Sequence, residues 1–260
     1  MNFIYFLIAL IASVVGATAG LGGGVIIKPV LDLLHHFDLA SIGVLSSFTV
    51  LSMAIVTLVK AFRNNIKPDS KTSILIAAGS ILGGMSGRYL FNHLITVMEN
   101  EQLLALIQSY ILACILLLIY LFVRYKHNWK TLVIKRKIII LIVGYSLGVI
   151  SAFLGIGGGP LNVAFLYLLF SMDARNAMIN STFIILFSQA SNLLSITFTT
   201  GFGSYNLSML PFMVLGGVLG GLAGSQLAIK FNNKQIEVIF NALMIIILLI
   251  NIYNIIRFYV

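Results

Sequence analysis

The sequence is short of charge, of acidic residues and of cysteine. Asp and Glu together number 7 of 260 residues, and charged residues make up 9% of the chain against 60% hydrophobic residues. A soluble domain usually carries about a quarter charged residues, so this composition excludes that class. The single cysteine, Cys114, excludes an intrachain disulfide. We therefore expect an integral membrane protein.

The patterns of nucleotide binding and of catalysis are missing as well. The glycine clusters do not fit G-x-G-x-x-G, and neither is followed by the Lys-Ser/Thr pair of a phosphate-binding loop. No Ser/His or Asp/Asp constellation falls within the apolar runs, which argues against an enzyme. The formal net charge of +9 lies in short gaps between those runs, so nucleic acid is not an expected partner. We expect no cofactor and no metal site.

Ten apolar runs make up most of the chain. About 20 apolar residues cross a hydrocarbon core roughly 30 Å thick. Eight runs approach that length, whereas two are short and each of these follows a glycine cluster. The sequence predicts an all-α polytopic membrane protein with 8–10 segments, at residues 3–19, 25–34, 39–59, 72–91, 102–123, 138–154, 160–171, 177–199, 207–229 and 236–258.

The two halves of the chain resemble each other. GIGGG at residues 155–159 repeats GLGGG at residues 20–24, 135 positions apart, and Asp173 has the same separation from Asp38. This order predicts a tandem duplication with an N-terminal repeat over 1–123, a basic cytoplasmic linker over 124–137 and a C-terminal repeat over 138–260. The small residues at 17–19 imitate a secretory cleavage site, but we expect no cleavage because the motif recurs in mid-chain. Later glycines match too, at Gly79, Gly83 and Gly87 and at Gly216, Gly220 and Gly224.

The distribution of Lys and Arg predicts the orientation of the segments, since cytoplasmic loops retain these residues. They crowd residues 60–71, 124–137 and 230–234, and they are absent from 92–101 and 200–206. If each short run forms a hairpin with the run before it, both termini are external. The two repeats are then inverted relative to each other.

A run of glycine beside an apolar segment predicts a helix break at membrane depth. Such a break is tolerated only where protein or a water-filled cavity satisfies the freed backbone groups. The half-helix that follows presents free N-H groups and a dipole that favour an anion. Two inverted copies would place two breaks face to face, as in an alternating-access transporter. The alternative is close helix packing, which we prefer for the later glycines and leave open for the two clusters.

The sequence GLGGGVIIKPVL at residues 20–31, with GIGGG at 155–159, resembles the paired glycine signature of the TauE/SafE family of membrane permeases. This resemblance implies a multi-pass transporter of the bacterial inner (plasma) membrane that carries small anions. Sulfite and organosulfonates such as sulfoacetate are the implied substrates, and export is the implied direction. One departure is Ala164 in the second copy where the first has Pro29, together with Pro160 directly after the glycines. The second half-helix is therefore expected to start differently.

Polar groups inside apolar runs are functional candidates because their burial is costly. Hydroxyls in membrane helices often bond only their own backbone, which is the alternative for each Ser and Thr. Lys28 could pair with the anion, extend to the interface, or pair with Asp32 one turn on. The candidate substrate-binding residues are Gly22, Gly23, Gly24, Lys28, Ser46, Ser47, Thr49, Gly157, Gly158, Gly159, Asn162, Asn180, Ser181, Thr182 and Gln189.

The roles of two arginines, the partners and the function itself complete the expectations. Arg88 and Arg175 could attract anions to the two mouths of a pathway or could anchor helices at the interface. The expected partners are a small anionic solute and the lipid bilayer, and glycine-lined faces are compatible with a homo-oligomer. The functional alternatives are a non-transporting membrane scaffold or assembly protein, and a transporter of another small anion.

Overall fold

The computed structural model describes residues 2–98, 100–125 and 131–259, apart from the side chain of Ser70. Glu99 and the centre of the predicted linker, with Lys126 and Lys130, lie outside that range. Within it the chain is helical and has no strand. The helices are α1 (Asn2–Ala19), α2 (Gly24–Leu34), α3 (Leu39–Arg63), α4 (Ser70–Met98), α5 (Glu101–Tyr125), α6 (Lys137–Leu154), α7 (Gly159–Phe170), α8 (Ala174–Phe198), α9 (Leu210–Lys230) and α10 (Asn233–Tyr259).

The predicted all-α polytopic fold is confirmed. Each described helix overlaps one predicted apolar run, although α9 begins at Leu210 and not at 207. Eight of the described helices are long and apolar enough to cross a membrane. The main difference is α4, which continues to Met98 although its apolar run ends at 91. Hydropathy reports how much of a segment suits lipid, whereas a helix continues beyond that layer as long as its backbone hydrogen bonds are made. Residues 92–98 are therefore helical.

Both predicted helix breaks are present. The first helix of each half ends before the glycine cluster, α1 at Ala19 and α6 at Leu154, and the short helices α2 and α7 begin at its last glycine. Between them the backbone turns through the left-handed region, with positive φ at Gly20, Gly22, Gly155, Gly157 and Gly158. Residues with a Cβ rarely adopt these angles, so the glycines set where the helices stop.

The long helices α3 and α8 begin in the same way. Asp38 caps α3 by accepting a hydrogen bond from the backbone N-H of Ser41 at 2.7 Å. Asp173 caps α8 by accepting one from the backbone N-H of Asn176 at 2.8 Å. These side chains satisfy N-H groups that the helices leave free. The local sequence match between the halves thus produces the same helix start.

The later glycines lie where helices cross at backbone contact, as expected of packing residues. A Cβ at Gly83 of α4 would overlap the carbonyl of Tyr145 on α6, and one at Gly220 of α9 would lie 2.6 Å from the carbonyl oxygen of Leu10 on α1. Gly79, Gly87, Gly216 and Gly224 meet the same two partner helices at the neighbouring turns, at Leu141, Val149, Phe6 and Val14. Small residues therefore let α4 pack on α6 and α9 pack on α1.

Candidate functional site

The two glycine clusters lie against each other. We call residues 20–23 the first glycine loop and residues 155–158 the second glycine loop. A Cβ at Gly24, which follows the first loop, would lie 2.7 Å from the carbonyl oxygen of Ile156 in the second. A Cβ at Gly159, which follows the second, would overlap the carbonyl of Leu21 in the first. The start of each half-helix thus contacts the loop of the other half, and only glycine permits that approach.

The loops lie about halfway along the long helices. Val50, near the middle of the 25-residue helix α3, has its Cγ1 atom 3.4 Å from a Cβ position at Gly22 and 3.6 Å from one at Gly157. Ile185, near the middle of α8, has its Cδ1 atom 3.0 Å from the position at Gly22. Because α3 and α8 are both long enough to span a membrane, the contact between the loops is at membrane depth.

The short helices direct their N-termini at this contact. Gly23 is the N-cap of α2 and Gly158 is the N-cap of α7, and neither cap supplies a side-chain hydrogen bond. The first N-H groups of a helix have no partner within the helix, and the helix dipole adds partial positive charge there. Two uncapped N-termini that meet at one point form an environment suited to negative charge.

Several of the predicted polar residues surround the loops, and all of them are buried. The Ser181 hydroxyl donates to the Gly20 carbonyl at 2.6 Å. Ser46 Oγ lies 3.0 Å from a Cβ position at Gly24. Gln189 Nε2 lies 3.5 Å from the position at Gly157, and Asn162 Oδ1 lies 3.6 Å from the position at Gly158. These four residues bring hydroxyl and amide groups to the contact between the loops.

Lys28 lies beside the second glycine loop and away from the surface. It is 4% exposed. Its Nζ donates to the Leu154 carbonyl at 2.6 Å and to Oε1 of Gln108, and Gln108 Nε2 donates to the Phe153 carbonyl at 2.6 Å. The cation therefore interacts with the C-terminal end of α6, where the helix dipole favours positive charge. The sequence indicated the unusual lysine but not its partner Gln108.

Four predicted residues form their hydrogen bonds away from the glycine loops. The hydroxyls of Thr49 and Thr182 donate to carbonyls of their own helices, at Leu45 and Met178. Ser47 also donates within its helix, to Gly43, and accepts a bond from Asn192. Asn180 accepts bonds from the backbone N-H of Asp69 and the hydroxyl of Ser73, at the start of α4. In these residues the polar group joins helices or bonds its own backbone.

Sequence reasoning did not single out Ser151. Its Oγ lies 2.9 Å from a Cβ position at Gly158 and is buried without a hydrogen-bond partner among the residues that the structure describes. A lone serine in an apolar run is a weak signal, and only its proximity to the loop distinguishes it. It adds one free hydroxyl to the site.

A multi-pass helical bundle whose broken helices meet at membrane depth is typical of membrane transporters, and the comparisons with known proteins agree. The Sulfite exporter TauE/SafE family matches residues 5–250. The chain belongs to this family. It is 24% identical to the probable membrane transporter protein YunE of Bacillus subtilis (strain 168), over 95% of this chain and 96% of that protein. No solved structure gives a significant match.

Proposed function

We propose that this protein is a permease of the bacterial plasma membrane that exports a small anion of the sulfite or organosulfonate class by alternating access. The observation that carries the proposal is the contact between the two glycine loops, at which two uncapped helix N-termini meet halfway along α3 and α8. An anion there would take hydrogen bonds from main-chain N-H groups and from nearby hydroxyl and amide groups. Binding requires no cation from a side chain.

Inverted repeats are part of the proposal, and helix directions support them. The helices α3 and α8 occupy equivalent places in the two halves. Asn192, late in α8, bonds Ser47, early in α3. Leu58, late in α3, joins a cluster with Met178, early in α8. The two equivalent helices therefore run antiparallel.

The first helices of the two halves, α1 and α6, and the fourth helices, α4 and α9, also run in opposite directions. On α9, Gly217 meets Thr49 and Gly221 meets Met53, so α9 runs parallel to α3. Along α9, Gly216, Gly220 and Gly224 meet Phe6, Leu10 and Val14 of α1 in the same order, so α1 runs parallel to α9. It therefore also runs parallel to α3. Gly79 and Gly87 of α4 meet Leu141 and Val149 of α6 in the same order, so these two helices are parallel. Asn180 and Ser191 of α8 bond Asp69, just before α4, and Ile81 in the same order, so α4 and α6 both run parallel to α8. These directions support the proposal of two inverted copies.

The orientation in the membrane rests on the basic residues. Connections that contain Lys and Arg are placed inside, which puts both termini and residues 199–209 outside. An inside-negative potential then favours efflux of an anion, by about 2.3 kcal/mol per charge at 100 mV. That driving force is sufficient without a coupled proton. The family description, Sulfite exporter, supports the proposed substrate class.

Counterflow in proteoliposomes tests the function. Purified protein is reconstituted with unlabelled sulfite or sulfoacetate inside, and uptake of the labelled anion is followed against sulfate, phosphate and acetate. We expect uptake driven by sulfite or sulfoacetate, and none in protein-free vesicles. Uptake driven only by another anion would overturn the substrate class. A folded protein that exchanges none of these anions would favour the scaffold alternative.

A further inference from the structure

A buried guanidinium lies apart from the glycine loops. Arg88, near the C-terminal part of α4, is 4% exposed. It donates from Nη2 to the Tyr205 hydroxyl at 2.9 Å, and its Cζ lies 5.2 Å from the centre of the Phe91 ring and 5.8 Å from that of Tyr205. Its Nε is buried and has no hydrogen-bond partner within the described part of the chain. The recorded neighbours of this cation are a phenol and two ring faces.

Arg175 shows how helix-end carbonyls compensate an arginine in the same protein, although its Nε, like that of Arg88, has no hydrogen-bond partner within the described residues. Its guanidinium donates to the carbonyls of Ile229 and Phe231, at the C-terminal end of α9. Carbonyls at the end of a helix carry partial negative charge and compensate a cation. Arg88 has no such acceptor among its recorded contacts, so helix capping does not account for its burial.

A carboxylate does not compensate Arg88 either. Asp38 caps the nearby start of α3, where its two oxygens accept from the N-H and the hydroxyl of Ser41. No ion pair to Arg88 is recorded among residues 2–98, 100–125 and 131–259. Buried charges in membrane proteins are normally paired. An anion is the group that this environment lacks.

The connection between α8 and α9, residues 199–209, covers Arg88. Tyr205 bonds both Arg88 and the Thr200 hydroxyl. The connection is attached to α3 through the bond from Asn206 N-H to Ser41 Oγ at 2.8 Å. A Cβ at Gly201 or Gly203 would meet nothing within 4 Å. Tyr205 thus holds this connection against the Arg88 guanidinium.

We propose that Arg88 is the main contact of a second anion site, covered by residues 199–209 and separate from the glycine loops. The guanidinium would bind two oxygens of a sulfite or sulfonate through the parallel N-H bonds of Nε and Nη2, while the second N-H of Nη2 keeps its bond to Tyr205. The identity of the anion rests on the proposed function, but the existence of the site does not. Arg88 Nη1 lies 3.9 Å from a Cβ position at Gly43, and α3 leads from Gly43 to Val50 at the loops, about 10 Å further on.

Equilibrium binding and thermal unfolding of the purified full chain test the site. The probes are sulfite, sulfoacetate, sulfate and chloride, applied to wild type, Arg88→Gln, Arg88→Lys and Tyr205→Phe. We expect an oxyanion to bind wild type and to raise its unfolding temperature. In Arg88→Gln the affinity of this second site should fall at least tenfold while binding at the glycine loops persists, with a smaller loss in Arg88→Lys, which keeps the charge but not the planar fork.

The unfolding temperature without anion separates a binding role from a structural one. Because wild-type Arg88 carries an uncompensated buried charge, Arg88→Gln should unfold at the same temperature or higher when no anion is present. A lower temperature in that variant, or the same number of oxyanions bound per chain as in wild type, would overturn the proposal. So would failure of every probe to bind wild type. Binding that depends on Arg88 without any counterflow would uphold the site and reject the transport function.

Discussion

At the scale of the residue, the contact between the glycine loops depends on two residues that have no Cβ. Gly24 and Gly159 each touch a carbonyl of the opposite loop, and neither has room for a Cβ. The sequence indicates the glycines because they cluster after apolar runs. It does not indicate which carbonyl each one touches, since Leu21 and Gly159 meet only after 138 positions of chain have folded. The sequence also does not indicate which carbonyl each hydroxyl bonds. Ser181 and Thr182 are adjacent, yet Ser181 bonds Gly20 in the first glycine loop and Thr182 bonds Met178 in its own helix.

Gly159→Ala tests this contact. The added Cβ overlaps the Leu21 carbonyl, so the loops must separate, and overpacking of this kind costs about 1–3 kcal/mol of unfolding free energy. We expect lower thermal stability and at least a tenfold loss of counterflow. Gly84→Ala is the matched control, because a Cβ there makes only an ordinary contact, 3.8 Å from Ser191 Oγ. Equal counterflow in the two variants would show that the contact between the loops is not needed for transport.

At the scale of the element, glycine spacing determines which helices cross closely. The crossings of α4 with α6 and of α9 with α1 use the same three turns in each half. A repeat of small residues four apart predicts such a crossing, and the duplication predicts that it occurs twice. Neither feature predicts which helix is the partner. The structure shows that α4 packs on α6 of the other half and not on α1 of its own half. Lys28 has no counterpart in the second half, where Val163 stands. The repeat therefore could not predict the bond between Lys28 and Gln108.

Adjacent glycines on α4 give a paired test of this crossing. A Cβ at Gly83 overlaps the Tyr145 carbonyl, whereas one at Gly84 lies 3.8 Å from Ser191 Oγ, an ordinary contact. Gly83→Ala should therefore lose about 1–3 kcal/mol of unfolding free energy. Gly84→Ala should be neutral or gain up to about 1 kcal/mol from helix propensity. Denaturation of both variants in the same detergent measures the difference, and a stable Gly83→Ala would contradict the close crossing of α4 and α6.

At the scale of the whole molecule, the sequence predicts the number of helices, their breaks and the class of protein. Composition identifies the membrane environment, and the paired glycine signature identifies the family. The spatial arrangement of the halves depends on long-range packing, which periodicity does not encode. Helix directions support inverted copies around a shared contact, and from that arrangement we infer that the contact opens to each side in turn.

The most direct test of alternating access uses Val50, whose side chain lies between the two glycine loops. Val50→Cys is made in a Cys114→Ser background, so that it carries the single cysteine of the chain. A small, membrane-impermeant anionic thiol reagent is applied to either face of oriented vesicles, with and without the transported anion. Alternating access predicts reaction from both faces and slower reaction when the anion is bound. No reaction from one or both faces, in protein that still supports counterflow, would contradict the account.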